Sequence, residues 1–252
     1  MSQNKIKVVL LCAGYATRLY PLTKNQPKPL LKVAGRPMIE HILERLEAVP
    51  DIDHVYVITN HKFAGHFSEW AKGYQYRAPV TVVDDGTDTN ENRLGAIGDL
   101  AFVLKSQNVG AEDIIIVAGD NLFDFDLTTF VKTAQTKRPY PVLAVYDVKE
   151  KEMAKKYGIL QVDSQGKALQ FLEKPENPPS TLASCGLYWL PKETRALLDR
   201  YLASGNNADQ PGHYMRWLAE THGLYTAPLQ GRWYDIGDLE SYKTADKQFA
   251  TK

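Results

Sequence analysis

Hydrophobic positions fall into two textures along this chain. Up to about residue 140, short apolar runs alternate with stretches of helical spacing. Lys7–Ala13 (KVVLLCA), Val55–Thr59 (VYVIT), Val80–Val83 and Ile114–Ala118 are continuous runs, the pattern of strands covered on both faces. Ile39, Ile42, Leu43 and Leu46 recur at helical spacing after Pro37, which lacks an N–H and suits a first helical turn. Further helices are predicted near Lys62–Lys72 and from about Leu94 to Lys105. Strands alternating with helices predict a parallel sheet with right-handed crossovers, and ligands of such sheets bind beyond the carboxyl ends of the strands.

From about Pro141 the pattern changes. Val142–Val148, Gly158–Val162, Ala168–Leu172 and Ser184–Leu190 read as strands on short connections, a mixed or antiparallel extension expected to cover the ligand site. Helices around Lys192–Ala203 and His213–His222, a short strand pair near Leu224–Asp235 and a last helix capped by Asp238 complete the chain. The expected fold class is α/β: a Rossmann-like three-layer α/β/α arrangement with a mostly parallel mixed sheet and a smaller β-rich extension. We expect one domain over residues 1–252, with halves of about 1–140 and 141–252. No repeat or linker interrupts it, and Glu176–Ser180 (ENPPS) is turn chemistry inside the domain.

Thirty Lys and Arg balance thirty Asp and Glu, so no global field draws nucleic acid or a membrane, and neither is expected as a partner. An anionic ligand must be held by local cations. Cys12 and Cys185 sit far apart in apolar runs and read as buried reduced thiols without metal-ligand spacing. No apolar stretch reaches the roughly 18 residues of a membrane span. Met1–Lys5 is polar and leads straight into a strand, unlike a signal peptide, so a cytoplasmic location is expected.

Candidate chemistry follows strand ends. In Leu11–Leu31 (LCAGYATRLYPLTKNQPKPLL), Gly14 lets the backbone approach a ligand, and Ala13 and Ala16 keep the surroundings small. Successive N–H groups there suit phosphates, with Arg18 as a planar clamp and Lys28 pre-oriented between Pro27 and Pro29. Neither a Walker loop nor a dinucleotide fingerprint is present. At Gly119-Asp120-Asn121 a strand ends in a carboxylate that either holds Mg²⁺ or caps the next turn. Asp235, in Arg232–Gly237 (RWYDIG), lies among aromatic residues and needs a partner or a metal if buried. In Phe171–Pro175 (FLEKP), Pro175 biases Lys174 toward extended backbone at what is otherwise a solvated strand end.

These four segments, in this order from Lys7 to about Tyr242, resemble the sugar nucleotidyltransferase family, which includes glucose-1-phosphate thymidylyl- and uridylyltransferases and mannose-1-phosphate guanylyltransferases. The resemblance implies a nucleotidyltransferase fold whose β-rich extension binds sugar. It also implies transfer of a nucleotidyl group from a nucleoside triphosphate to a sugar 1-phosphate with release of pyrophosphate. UTP or dTTP with a hexose 1-phosphate is favoured, and Mg²⁺ is the cofactor. Arg18 and Lys28 would be catalytic, holding pyrophosphate and the reacting phosphates. Ala13, Gly14, Gly95 and Asp120 would line the nucleotide, and Asp120 and Asp235 would share the metal. Asn121, Gly158, Glu173, Lys174 and Gly186 would bind the sugar phosphate, Lys174 through the phosphate itself.

Three departures matter. Alanines stand at 13 and 16 where the family's loop carries glycine. Asp84–Arg93 (DDGTDTNENR) replaces the stretch that reads the base, leaving Asn90 and Asn92 open as base contacts or as loop polarity. The chain ends soon after the last motif, so a left-handed β-helix acetyltransferase domain is not expected. A phosphate monoester has a second pKa of about 6 and needs no general base, so the six histidines read as structural. Rival readings are a cytidylyl- or guanylyltransferase with another phosphate acceptor, separated by a substrate panel, and a non-catalytic nucleotide or sugar sensor, separated by binding without pyrophosphate release. The sequence is compatible with a homo-oligomer.

Overall fold

In the computed structural model, which describes residues 5–250, the chain opens with β1 (Ile6–Leu11), a small hairpin of β2 (Lys32–Val33) and β3 (Arg36–Pro37), and α1 (Met38–Leu46). There follow β4 (Ile52–Thr59), α2 (His61–Gly73), β5 (Val80–Asp84), α3 (Ala96–Ser106), β6 (Asp113–Ala118), β7 (Asn121–Phe123) and α4 (Leu127–Thr136). The second half contains β8 (Val142–Asp147), α5 (Lys151–Ala154), β9 (Gly158–Val162), β10 (Ala168–Glu173) and β11 (Leu182–Leu190). It ends with α6 (Arg195–Ala203), α7 (Pro211–Thr221), β12 (Tyr225–Pro228), β13 (Trp233–Asp235) and α8 (Leu239–Phe249). Residues 1–4 of the polar N-terminal stretch Met1–Lys5 lie outside the described residues.

Among the described residues nine strands form one sheet with β1 near its middle. β4 and β6 flank β1 in parallel, and β5 extends the parallel half beyond β4. On the other side β11 runs antiparallel to β6 and passes the sheet on to β9 and β10. β8 pairs antiparallel with β11 and parallel with β12. Side chains of β1 alternate across the sheet. Val8 and Leu10 pack with Ile39, Ile42, Leu43 and Leu46 of α1, while Val9 packs on the opposite face with Ile97, Leu100 and Val103 of α3. Helix, sheet and helix are therefore the three layers, as the alternation of apolar runs and helical spacing predicts.

Two expectations need correction. The strand pair expected within Leu224–Asp235 does not form. β12 closes the open edge of β8, whereas β13 leaves the sheet and pairs antiparallel with β7. Hydrogen-bonding edges far away in sequence win over the neighbouring segment. Pro37 stands one residue before α1, with extended backbone at φ −50° and ψ 140°, and belongs to the small hairpin. Asp238 does cap α8: its side chain accepts the Ser241 N–H at 2.8 Å.

Candidate active site

β1 and β6 end side by side, which brings two distant motifs together. The Gly119 N–H donates to the Leu11 carbonyl at 3.0 Å, and a Cβ on Gly119 would lie 2.6 Å from Cys12 Sγ. Only glycine lets the two turns touch. Gly14 borders open space instead, with nothing within 4 Å of where a Cβ would stand. Ala13 is buried, its carbonyl accepting from Asn60 Nδ2 at 2.8 Å. Ala16 takes the left-handed conformation (φ 49°) that glycine adopts without strain, and Thr23 Oγ1 donates to its carbonyl at 2.7 Å. A cleft of about 380 Å³ opens here, lined among others by Gly14, Arg18, Lys28, Gly95, Asp99 and Asp120.

Lys28 is fixed from two sides. Its ammonium donates to Asp120 Oδ2 at 2.8 Å and to the Ile236 carbonyl at 2.9 Å. Asp120 also accepts from Asn121 Nδ2 at 2.8 Å. Burial pushes the Asp120 carboxyl up, but the charge and hydrogen bond of Lys28 and the Asn121 amide outweigh it and hold the group below the usual carboxylate range. Asp235 arrives through the β7–β13 ladder, where it stands opposite Asn121, while the Ile236 N–H donates to the Asp120 carbonyl at 3.0 Å. Burial first, and then the charge of Asp120, pushes Asp235 up to about 6 against the opposing cations Lys28, Arg18 and Lys174. Two acids and three cations thus share one field.

The donor chemistry suits Mg²⁺, which takes oxygen ligands, keeps several waters and is commonly held by one or two carboxylates plus substrate phosphates. Asp120 and Asp235 are two such carboxylates, and their mutual repulsion is what a divalent cation would offset. Among the described residues no group of three or more His, Cys, Asp or Glu has metal-binding spacing.

Asn121 is buried and held at both ends, since Trp233 Nε1 donates to its Oδ1 at 2.7 Å. Gly186 lies against it: the backbone is left-handed (φ 69°), inside the irregularity of β11 between Ser184 and Tyr188, and a Cβ would come within 2.9 Å of Asn121 Nδ2. Glu173 and Lys174 are exposed at the end of β10. The extended backbone expected for Lys174 is not found. Its φ is 45°, and its N–H donates to the Tyr157 carbonyl at 3.0 Å, a tertiary hydrogen bond that overrides the bias from Pro175. The space over Gly158 is taken by Phe171 and Glu173, and the space over Gly95 (φ 79°) by the backbone of Ala208 and Asp209. Both glycines thus have packing reasons to be glycine.

Several residues in and around the cleft had no role in the sequence reading. Trp233 stands inside the RWYDIG segment, but nothing there signals its hydrogen bond to Asn121. Tyr15 closes the turn by donating to the Thr87 carbonyl at 3.2 Å, and Arg93 spans the rim to Asp209 at 2.8 Å. Asp99 interrupts the apolar face of α3, a charge among Ile97, Leu100 and Val103 that the sequence does show. Asn92 is spent on a local turn, accepting the Thr89 N–H at 3.0 Å, whereas Asn90 lines the cleft.

The chain is similar to the bifunctional protein GlmU of Methanocaldococcus jannaschii, 27% identical over 247 residues, covering 97% of this chain and 54% of that protein. It is also 29% identical to a UTP–glucose-1-phosphate uridylyltransferase of Synechocystis, over 94% of this chain and 61% of the relative. The chain thus spans little more than half the length of these relatives. Its fold superposes on a UDP-glucose pyrophosphorylase solved with UDP-glucose at a TM-score of 0.80 and 22% identity, covering 97% of this chain and 98% of the other. The nucleotidyl transferase family model matches residues 7–252, nearly everything from the first strand onward, and the chain belongs to that family.

Proposed function

We propose that this chain transfers a nucleotidyl group from a nucleoside triphosphate to a sugar 1-phosphate, giving a nucleotide-sugar and pyrophosphate. One observation carries the reading: Asp120, Lys28 and Arg18 line one cleft behind a glycine turn, and Asp235 feels the charge of all three. In this reading a sugar-phosphate oxygen attacks the α-phosphorus in line, and the work of the protein is positioning and placement of charge. Arg18 holds the departing pyrophosphate, and Lys28 faces the reacting phosphates while keeping Asp120 ionised. Lys174 binds the sugar phosphate, with Asn121, Glu173 and the backbone at Gly158 and Gly186 on the sugar side. Ala13, Gly14 and Gly95 border the nucleotide. Mg²⁺ between Asp120 and Asp235 would neutralise phosphate oxygens. No side chain is asked to remove a proton, because the attacking phosphate is already largely dianionic near neutrality, with a second pKa of about 6.

Residues 1–140 then serve the nucleotide and 141–252 the sugar phosphate, within one domain. UTP or dTTP with a hexose 1-phosphate is the pair that the resemblance favours. No helix among the described residues is long and apolar enough to cross a membrane. A cytoplasmic setting, rich in nucleoside triphosphates and reducing, suits the two free buried thiols Cys12 and Cys185. The test is pyrophosphate release from UTP, dTTP, GTP, CTP and ATP with common hexose 1-phosphates. Release dependent on both substrates supports the reaction, and nucleotide binding without any release overturns it in favour of a sensor.

A further inference from the structure

β1 and β4 run side by side in parallel, and the residue that follows β4, Asn60, is fully buried against the turn that follows β1. Its carboxamide is engaged at both ends. Nδ2 donates to the Ala13 carbonyl at 2.8 Å, and Oδ1 accepts the Phe63 N–H at 3.1 Å, capping α2. The two partners fix which end is nitrogen, since a flipped amide would set oxygen against oxygen and N–H against N–H. Capping alone asks only for an oxygen acceptor, which serine or aspartate supplies equally well. The bond to Ala13 is what asks for an amide.

The Ala13 carbonyl and the Gly14 N–H belong to one planar trans peptide unit and point in opposite directions. Drawing the carbonyl toward Asn60 therefore turns the Gly14 N–H away from Asn60. Gly14 lines the cleft, whereas Asn60 does not. The N–H groups of Gly14, Tyr15 and Ala16 donate to no acceptor among the described residues, so the turn keeps three consecutive donors for a ligand. At the other end of the turn Thr23 Oγ1 holds the Ala16 carbonyl in the same way, at 2.7 Å. A carbonyl swung into the cleft would instead set a partial negative charge against phosphate oxygen atoms.

We propose that Asn60 is a positioning residue for the nucleoside triphosphate: it holds the Ala13 carbonyl out of the cleft and so presents the Gly14 N–H to a phosphate oxygen. Asn60 touches no substrate itself. Its role deepens the nucleotidyltransferase reading of the cleft and rests on it. Because the same side chain starts α2, that helix is the fixed frame against which the turn is set.

The test uses the whole chain and the triphosphate that serves best among UTP, dTTP, GTP, CTP and ATP. Pyrophosphate release is measured with each substrate varied in turn, and binding of the Mg-triphosphate by calorimetry without sugar phosphate. Asn60→Ser keeps a capping oxygen, but its hydroxyl is a bond shorter than the amide and does not reach Ala13. The expected result is that Kd and KM for the triphosphate rise about tenfold, as when one hydrogen bond to a charged group weakens, while KM for the sugar phosphate changes by less than about twofold. Asn60→Asp has the shape of the parent and no donor when ionised, should show the same split, and serves if the serine variant fails to fold. A merely structural role lowers the urea midpoint and leaves the ratio of the two KM values unchanged. That outcome, or a larger rise in the sugar-phosphate KM, overturns the proposal. A parent chain that binds triphosphate without release sinks the reaction alone, and the calorimetry still decides on Asn60. One that binds no triphosphate sinks both.

Discussion

Asp235 stands opposite Asn121 in the β7–β13 ladder, so that two aspartates more than a hundred positions apart share one electrostatic environment with Lys28. The Ile236 N–H locks the register by donating to the Asp120 carbonyl at 3.0 Å. Asp120→Asn and Asp235→Asn should each lower kcat by about 100-fold or more, the cost of losing one preorganised electrostatic group. Circular dichroism should show the fold retained, since neither carboxylate holds the sheet. Near-normal pyrophosphate release by both variants would remove the proposed metal site.

Lys174 is exposed at the end of β10, and its charge reaches Asp235. Lys174→Ala should raise KM for the sugar phosphate more than KM for the nucleotide, because the proposed contact is to the sugar phosphate alone. Steady-state kinetics with each substrate varied in turn decides this. An unchanged sugar-phosphate KM takes the residue out of the site.

The indole of Trp233 holds the buried Asn121 amide, which in turn holds Asp120. Trp233→Phe leaves Asn121 Oδ1 without its donor, at a cost of about 1–3 kcal/mol for a buried unsatisfied acceptor. Urea unfolding should register that loss, and kcat should fall as the Asp120 carboxylate loses its fixed neighbour. A variant equal to the parent in both respects would show that the amide needs no anchor.

Ala16 occupies left-handed backbone (φ 49°), where an L-residue is strained by about 1–2 kcal/mol and glycine is not. The greater freedom of glycine in the unfolded chain offsets part of this, about 0.4–1 kcal/mol. Ala16→Gly should therefore stabilise the protein by about 0.5 kcal/mol, visible as a small rise in Tm. Ala16→Val should do the opposite, and a Tm that falls for the glycine variant contradicts the strain argument.

Asp99 is raised from 3.8 to about 8, mainly by burial. Between those two values the folded protein holds a proton that the unfolded chain has released. Its contribution to stability therefore declines as pH rises through the window and levels off above about 8. Asp99→Asn removes the titration and keeps an amide that can bond Asp85. The stability of the variant relative to the parent should grow with pH across the window, by at most about 1.4 kcal/mol per pH unit. Unfolding midpoints that differ by a constant amount at every pH would contradict this.

The parallel half was legible because its strands are covered on both faces. Continuous apolar runs such as Ile6–Leu11 and Asp113–Ala118 have few other ways to bury themselves, and the helices between them show their inward stripe. The cationic loop and the Gly-Asp turn were legible too, since they follow strand ends. The sequence by itself determined the layered sheet, the strand edge where the candidate site lies and the residue types gathered there.

Tertiary structure alone decided what meets what. β7 and β13 are three residues each, too short for any periodicity, and only their mutual hydrogen bonds bring Asp235 to Asp120. Lys174 follows its N–H hydrogen bond to the Tyr157 carbonyl rather than its neighbour Pro175. Asp99 holds its proton because burial removed water from it and the end of β5 placed Asp85 nearby. Local pattern reports how each segment hides apolar surface, while pairing across the fold sets the charge, hydration and company of each polar group.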